Sequence, residues 1–147
     1  MGLDISHGAW HGAYSAFMRW REMIAEIIQI PPLELMEGFF EKGGYRDPIS
    51  DFAKNCPNLA EVIYRSLPIK WECLRPDPLY VLLHHSDCDG EISPEDCAAI
   101  ADRLEEILPK FPTGEGGGHI GNWRDKTSTF IDGCRAAAKA NEPLDFH

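Results

Sequence analysis

Residues 79–108 decide the fold of this chain, and they read LYVLLHHSDCDGEISPEDCAAIADRLEEIL. Two stretches with regular apolar positions flank a polar run, residues 84–92, which places histidine, aspartate and cysteine just before Gly90. Hard and soft types of metal ligand are therefore crowded into a few positions that end in a glycine turn. The pattern predicts two elements of secondary structure joined by a turn, and the side chains of that turn are candidates for a functional site.

The clearest local signal follows the polar run, where Ser93 and Pro94 precede two acidic residues. A serine cap, a proline at the first helical position and an acid at the third are typical of a helix start. The apolar positions that follow give this helix one buried face: Ala98, Ala101, Leu104, Ile107 and Leu108. Pro109 and Pro112 end the helix.

The segment before the polar run, Leu79 to His85, has two interpretations. Its short apolar run fits a strand. Asp77 followed by Pro78, however, is a cap followed by a good first helical residue, and this favours a short helix.

Toward the N-terminus, Gly2 to Ile5 fits a short strand, after which Ser6 can cap a helix. Apolar residues recur at spacings of three and four from Ala13 onward: Phe17, Trp20, Ile24 and Ile27. This spacing predicts a long helix with one buried face, ended by Pro31–Pro32.

The rest of the chain predicts further short elements. We expect helices at Leu33–Phe40, Pro57–Ser66 and Thr127–Ala140, strands at Ile69–Cys73 and Leu144–His147, and loops at Tyr45–Asn55 and Thr113–Gly121. We expect the last strand to pack against the first. The whole, residues 1–147, is predicted to be one α+β domain, mostly helical, with a few short strands.

Composition excludes some classes of function. The chain has 147 residues and a net charge of −10, which argues against nucleic acid as a partner because phosphate binding needs clustered Lys and Arg. No apolar stretch approaches the roughly 20 residues that span a bilayer, so no membrane association is expected. Five widely spaced cysteines without a Cys-x-x-Cys pair predict reduced thiols and a cytoplasmic setting.

The polar run resembles a degenerate calcium loop of the EF-hand type. If Gly90 takes the sixth position, Asp87 and Asp89 fall at the third and fifth, where oxygen ligands belong. The ends fit poorly, because His85 stands at the first position and Asp96 replaces the usual glutamate at the twelfth.

Two alternatives to calcium stay open for the same run. His85 and Cys88 suit zinc or another transition metal better than calcium. The run also has a structural interpretation, in which Asp87 and Asp89 hydrogen-bond to turn amides and Gly90 supplies a positive φ.

Other histidines are candidate ligands. On a helix, His7 and His11 would share one face at a spacing that metal ligands use, and Asp4 lies where a carboxylate could orient an imidazole. His119 follows three glycines whose amides can approach an anion, or it lies in a plain connector. A frayed tail is the default at His147, whereas Leu144 and Phe146 favour a docked one.

The first hypothesis is therefore a metal- or small-ligand-binding protein, with a divalent ion such as Ca²⁺ or Zn²⁺ as the cofactor. We expect the metal ligands to be His7, His85, Asp87 and Asp89. The further ligand-binding residues are expected to be Asp4, His119 and His147. Whether the chain is an enzyme stays open, although an open metal position would permit hydrolysis by metal-activated water.

Several motifs together resemble a functionally uncharacterised family of small proteins from bacteriophages and bacteria. They are Gly2–His7, Gly12–Phe17, His85–Ile92, Gly116–Ile120, Phe130–Cys134 and Asn141–His147. The resemblance implies the cytoplasm of a bacterial cell and transfers no activity. It also motivates a second hypothesis: a phage accessory protein that binds a host or virion protein, in which the polar run is only a turn and a helix cap.

Overall fold

The structure is a computed structural model that describes residues 2–36, 69–86, 89–112 and 122–147. Three predictions fall outside these residues: the helix Pro57–Ser66 and the loops Tyr45–Asn55 and Thr113–Gly121.

Within the described residues the chain forms four α-helices and four short strands. In chain order they are β1 (Leu3–Ile5), β2 (Trp10–Gly12), α1 (Tyr14–Ile27), α2 (Leu79–Leu83), β3 (Glu91–Ile92), α3 (Pro94–Ile107), α4 (Trp123–Ala140) and β4 (Leu144–Asp145). The predicted class, mostly helical α+β, is confirmed. None of the described helices is long and apolar enough to cross a membrane.

The N-terminus is a β-hairpin rather than the start of a helix. Ser6–Gly8 make one 3₁₀ turn, and both His7 (φ 60°) and Gly8 (φ 68°) have left-handed backbone, which a right-handed helix cannot contain. The chain therefore turns back, and β2 pairs antiparallel with β1. The prediction that His7 and His11 share one helical face is wrong for this reason.

The C-terminal strand joins the hairpin to the polar run. β4 pairs antiparallel with β3, and a bridge between Ile5 and Phe146 connects β4 to β1. The order across the strands is thus β2-β1-β4-β3. The predicted packing of the last strand against the first is confirmed.

One cluster of buried apolar residues lies beneath these strands and between the helices. Trp20 is completely buried, and its indole Nε1 donates a hydrogen bond to Thr127 Oγ1 at 2.9 Å, which ties α1 to α4. Close to the hairpin, α4 carries Gly133, where a Cβ atom would lie 2.6 Å from Ala9 Cα. Only glycine permits this approach of backbone to backbone.

The helix signals are mostly confirmed. Residues 79–83 are helical, as favoured, and Ser93 Oγ accepts from Asp96 N at 3.2 Å at the start of α3. The last helix begins at Trp123, earlier than predicted, because the side chain of Asn122 caps it.

Two predictions between the helices are wrong. Leu33–Leu35 form a single 3₁₀ turn, after which Met36 is extended and bridges to Ile69, so the predicted helix Leu33–Phe40 is absent from its described part. The predicted strand Ile69–Cys73 is a bridge at Ile69 followed by a 3₁₀ turn at Trp71–Cys73. The alternation of apolar and polar residues in this segment does not produce a strand, because among the described residues no neighbouring strand pairs with residues 71–73.

Candidate functional site

His85, a predicted metal ligand, closes the polar loop through its ring. Its Nδ1 lies 2.8 Å from Ser86 O and its Nε2 lies 3.0 Å from Glu91 O. The ring packs against Phe146 with centroids 4.2 Å apart and the ring planes tilted by 36°. A neutral imidazole carries one N–H and the protonated ring carries two, so the ring braces the loop through at least one hydrogen bond. In this arrangement both ring nitrogens face backbone carbonyls rather than an open metal position.

Arg21, a buried residue, donates hydrogen bonds to the start of the same loop. The side chain belongs to α1 and is only 1% exposed. Its Nη1 donates to His85 O at 2.7 Å and to Leu82 O at 3.4 Å, and its guanidinium lies 4.7 Å from the centre of the Phe17 ring. A cation at the carbonyl end of a helix interacts favourably with the helix dipole. Arg21 therefore positions the start of the polar run against the core.

The other predicted metal ligands do not join His85: two of them make other contacts, and the third lies outside the described residues. Asp89 is exposed, and its backbone N–H donates to Ser86 Oγ at 3.4 Å. His7 Nε2 lies 3.4 Å from Glu142 Oε2, beside the end of α4. Asp87 lies outside the described residues.

Histidine and carboxylate groups do meet on the outer face of the strands. Asp4 is directly opposite His11 in the β1–β2 register, and Asp4 Oδ1 contacts His11 Nδ1. On its other side, Asp4 exchanges both backbone hydrogen bonds with His147, each 2.9 Å long. Opposed residues of an antiparallel pair lie on the same face, so His11, Asp4 and His147 form one row across β2, β1 and the extended chain that follows β4. We call these three residues the outer row.

The outer row is open to solvent and has further carboxylates beside it. The exposed fractions of the side chains are 87% for His11, 54% for Asp4 and 65% for His147. Asp145 Oδ2 lies 3.8 Å from His147 Nδ1, and Asp145 is opposite the exposed Glu91 in the β3–β4 register. The face therefore offers two imidazoles and three carboxylates, and its acidic excess favours a cation.

In the described parts of the chain, no group of three or more His, Cys, Asp or Glu side chains is already arranged to hold a metal ion. Of the residues expected to bind a ligand, Asp4 and His147 are neighbours, and His119 lies outside the described residues. The outer row thus brings together Asp4 and His147, which were both expected to bind a ligand, and His11, which was considered only as a helical neighbour of His7.

Three residues of the site carried signals in the sequence. His11 lies between Trp10 and a glycine, and Asp4 lies between two apolar residues, so both alternate as exposed strand positions do. Arg21 follows Phe17 by four positions and therefore falls on the apolar face of its own helix. A charged residue on that face is rare and indicates a buried partner.

No protein-family model, curated protein sequence or solved structure matches this chain.

Proposed function

We propose that this protein binds a divalent transition-metal ion on the outer row. The observation that supports the proposal is the pairing of Asp4 with His11 on one side and with His147, just after β4, on the other. Backbone hydrogen bonds hold this order, so the three side chains start from fixed positions on one face.

The spacing suits an ion placed above Asp4. Neighbouring strands lie about 4.8 Å apart, so His11 and His147 start roughly 10 Å from each other, with the carboxylate between them. His11 already contacts that carboxylate. His147 lies 3.8 Å from Asp145, a weak interaction at an exposed position, so turning its ring toward Asp4 costs little.

The chemistry of the donors selects the class of ion. Two imidazoles and one carboxylate, with the fourth position left to water, are a ligand set that Zn²⁺ accepts. Ca²⁺ prefers six to eight oxygen ligands, which the outer row does not supply. The predicted order of affinity is therefore Zn²⁺ well above Ca²⁺.

The test is metal titration of the full chain, freed of metal with EDTA, followed by isothermal calorimetry and thermal unfolding. Zn²⁺ at about 100 times its dissociation constant is expected to add about 2.7 kcal/mol of stability. His11→Ala and His147→Ala are each expected to weaken binding at least about tenfold, as the loss of one ligand should.

His7→Ala is the matched control, because His7 is a surface histidine of the same hairpin that contacts Glu142 instead of the outer row. It is expected to bind Zn²⁺ as the wild type does. The proposal is wrong if Zn²⁺ neither releases heat nor shifts the unfolding temperature, or if His7→Ala weakens binding as much as His11→Ala.

A further inference from the structure

A buried indole on the inner face of the hairpin has a hydrogen-bond donor without an acceptor. Trp10 is only 2% exposed, and among the described residues no acceptor lies within hydrogen-bonding distance of its Nε1–H. The ring packs edge-on against Phe17, with centroids 5.1 Å apart, so the core fixes its orientation. Buried polar groups in proteins almost always have a partner, and one that lacks it asks for a specific explanation.

The indole nitrogen borders a space beside Gly12 that a second nitrogen donor also borders. A Cβ atom at Gly12 would lie 3.6 Å from Trp10 Nε1 and 3.7 Å from Lys126 Nζ. Apart from Gly12 and its two chain neighbours, no other described atom comes within 4 Å of that position. The missing side chain of Gly12 therefore keeps open a space whose nearest atoms are both donors. We call this space the Gly12 cradle.

Lys126 brings a positive charge to the Gly12 cradle. Its Nζ donates a hydrogen bond to His11 O at 3.0 Å and lies 4.8 Å from the centre of the Trp10 ring. An ammonium group has three N–H donors, so Lys126 can donate to a bound anion and keep its bond to His11 O. Its flexible stem also lets the ammonium move aside as an ion enters.

Helix α1 begins directly beside the cradle and adds to its positive character. Ala13, which follows Gly12, is the N-cap residue, and its methyl side chain makes no capping hydrogen bond. The first turn of α1 contains no acidic residue. The first amides of a helix have no acceptor within the helix, and with the helix dipole they favour an anion. Three groups of donors from separate elements therefore meet at one place.

We propose that the Gly12 cradle binds a tetrahedral oxyanion, namely phosphate or the phosphate group of a small molecule. One phosphate oxygen accepts from Trp10 Nε1, a second accepts from Lys126 Nζ, and the others face the first amides of α1. A phosphate group has more acceptor oxygens than a carboxylate, so it can serve donors that approach from three directions.

The cradle is separate from the outer row. Successive side chains of a strand point to opposite faces, so Trp10 and Gly12 share the inner face of β2 while His11 lies on the outer face. Oxyanion binding therefore does not require the metal ion that we propose for the outer row, and either site can be absent without the other.

The experiment is an NMR titration of the full, ¹⁵N-labelled chain, freed of metal with EDTA, with inorganic phosphate at constant ionic strength. The chain has four tryptophans, whose indole N–H groups give separate signals, and Trp10→Phe assigns the signal of Trp10. We expect the Trp10 indole signal to shift and to saturate while the other three stay in place. Sulfate, which is also tetrahedral, should act in the same way, whereas acetate should bind more weakly.

Lys126→Met removes the charge but keeps much of the stem, and it is expected to weaken phosphate binding about tenfold, as the loss of a hydrogen bond from a cation should. Lys139→Met is the matched control, because Lys139 is exposed in the last turn of the same helix. It is expected to bind phosphate as the wild type does.

Three results would overturn the proposal. In the wild type, the Trp10 indole signal does not shift, or all four indole signals drift together without saturation, as they do in a general ionic effect. Acetate binds as tightly as phosphate, which would exclude a tetrahedral ligand. Lys139→Met weakens binding as much as Lys126→Met. The first two results need only the wild-type chain, so they decide the question even if a variant does not fold.

Discussion

Replacing Arg21 by methionine should destabilise the protein by about 3 kcal/mol. Methionine keeps much of the length and apolar stem but removes the charge. The hydrogen bond to His85 O, 2.7 Å long and donated by a cation, is worth roughly 1.5–3 kcal/mol. The longer bond to Leu82 O and the cation–π contact with Phe17 add about 1 kcal/mol in total. Two effects offset part of this sum. The variant does not have to remove a guanidinium from water when it folds, and methionine retains part of the apolar packing.

Urea unfolding of wild type and variant measures the loss as a lower midpoint at an unchanged slope. Arg19→Met is the matched control, because Arg19 belongs to the same helix but is half exposed, and its ion pairs with described residues, Glu22 and Glu26, lie on the surface. Such pairs contribute about 0–1 kcal/mol. If Arg21→Met unfolds within about 0.5 kcal/mol of Arg19→Met, the guanidinium does not support the loop and the reasoning fails.

Two further predictions concern α4 and α2. Gly133→Ala should destabilise the protein by about 1–3 kcal/mol, because the added Cβ would lie 2.6 Å from Ala9 Cα. Asp132→Ala, at the exposed neighbouring position, is the control. Equal melting temperatures for the two variants would contradict the close approach of Gly133 to Ala9. Burial, and after it the Asp77 carboxylate, raises the pKa of the Tyr80 phenol above its ordinary 10.0, so the unfolded chain loses this proton first. This contribution to stability is complete below pH 10 and is lost as the pH rises through the folded pKa. Tyr80→Phe should therefore lose less stability above pH 10 than the wild type. The free energy of unfolding in urea is measured at several pH values, and the same decrease for both proteins would refute the raised pKa of Tyr80.

The sequence by itself determined the elements whose signals are local. Ser93 and Pro94 set the start of α3, because a cap needs only the amides of the next turn. Apolar spacing indicated α1 through its buried residues and the last helix through Phe130. These signals act over three or four positions, so one chain segment contains all the information they need.

The tertiary structure decided what the histidines and the buried arginine do. The polar run was the most conspicuous candidate in the sequence, yet the described ring of His85 faces carbonyls of its own loop. Asp4 and His147 are neighbours only because the last strand pairs with the first, and His11 joins them because a left-handed turn at His7 makes a hairpin instead of a helix. Strand pairing brings together residues from opposite ends of a chain, and a spacing rule within one segment contains no information about the partner strand.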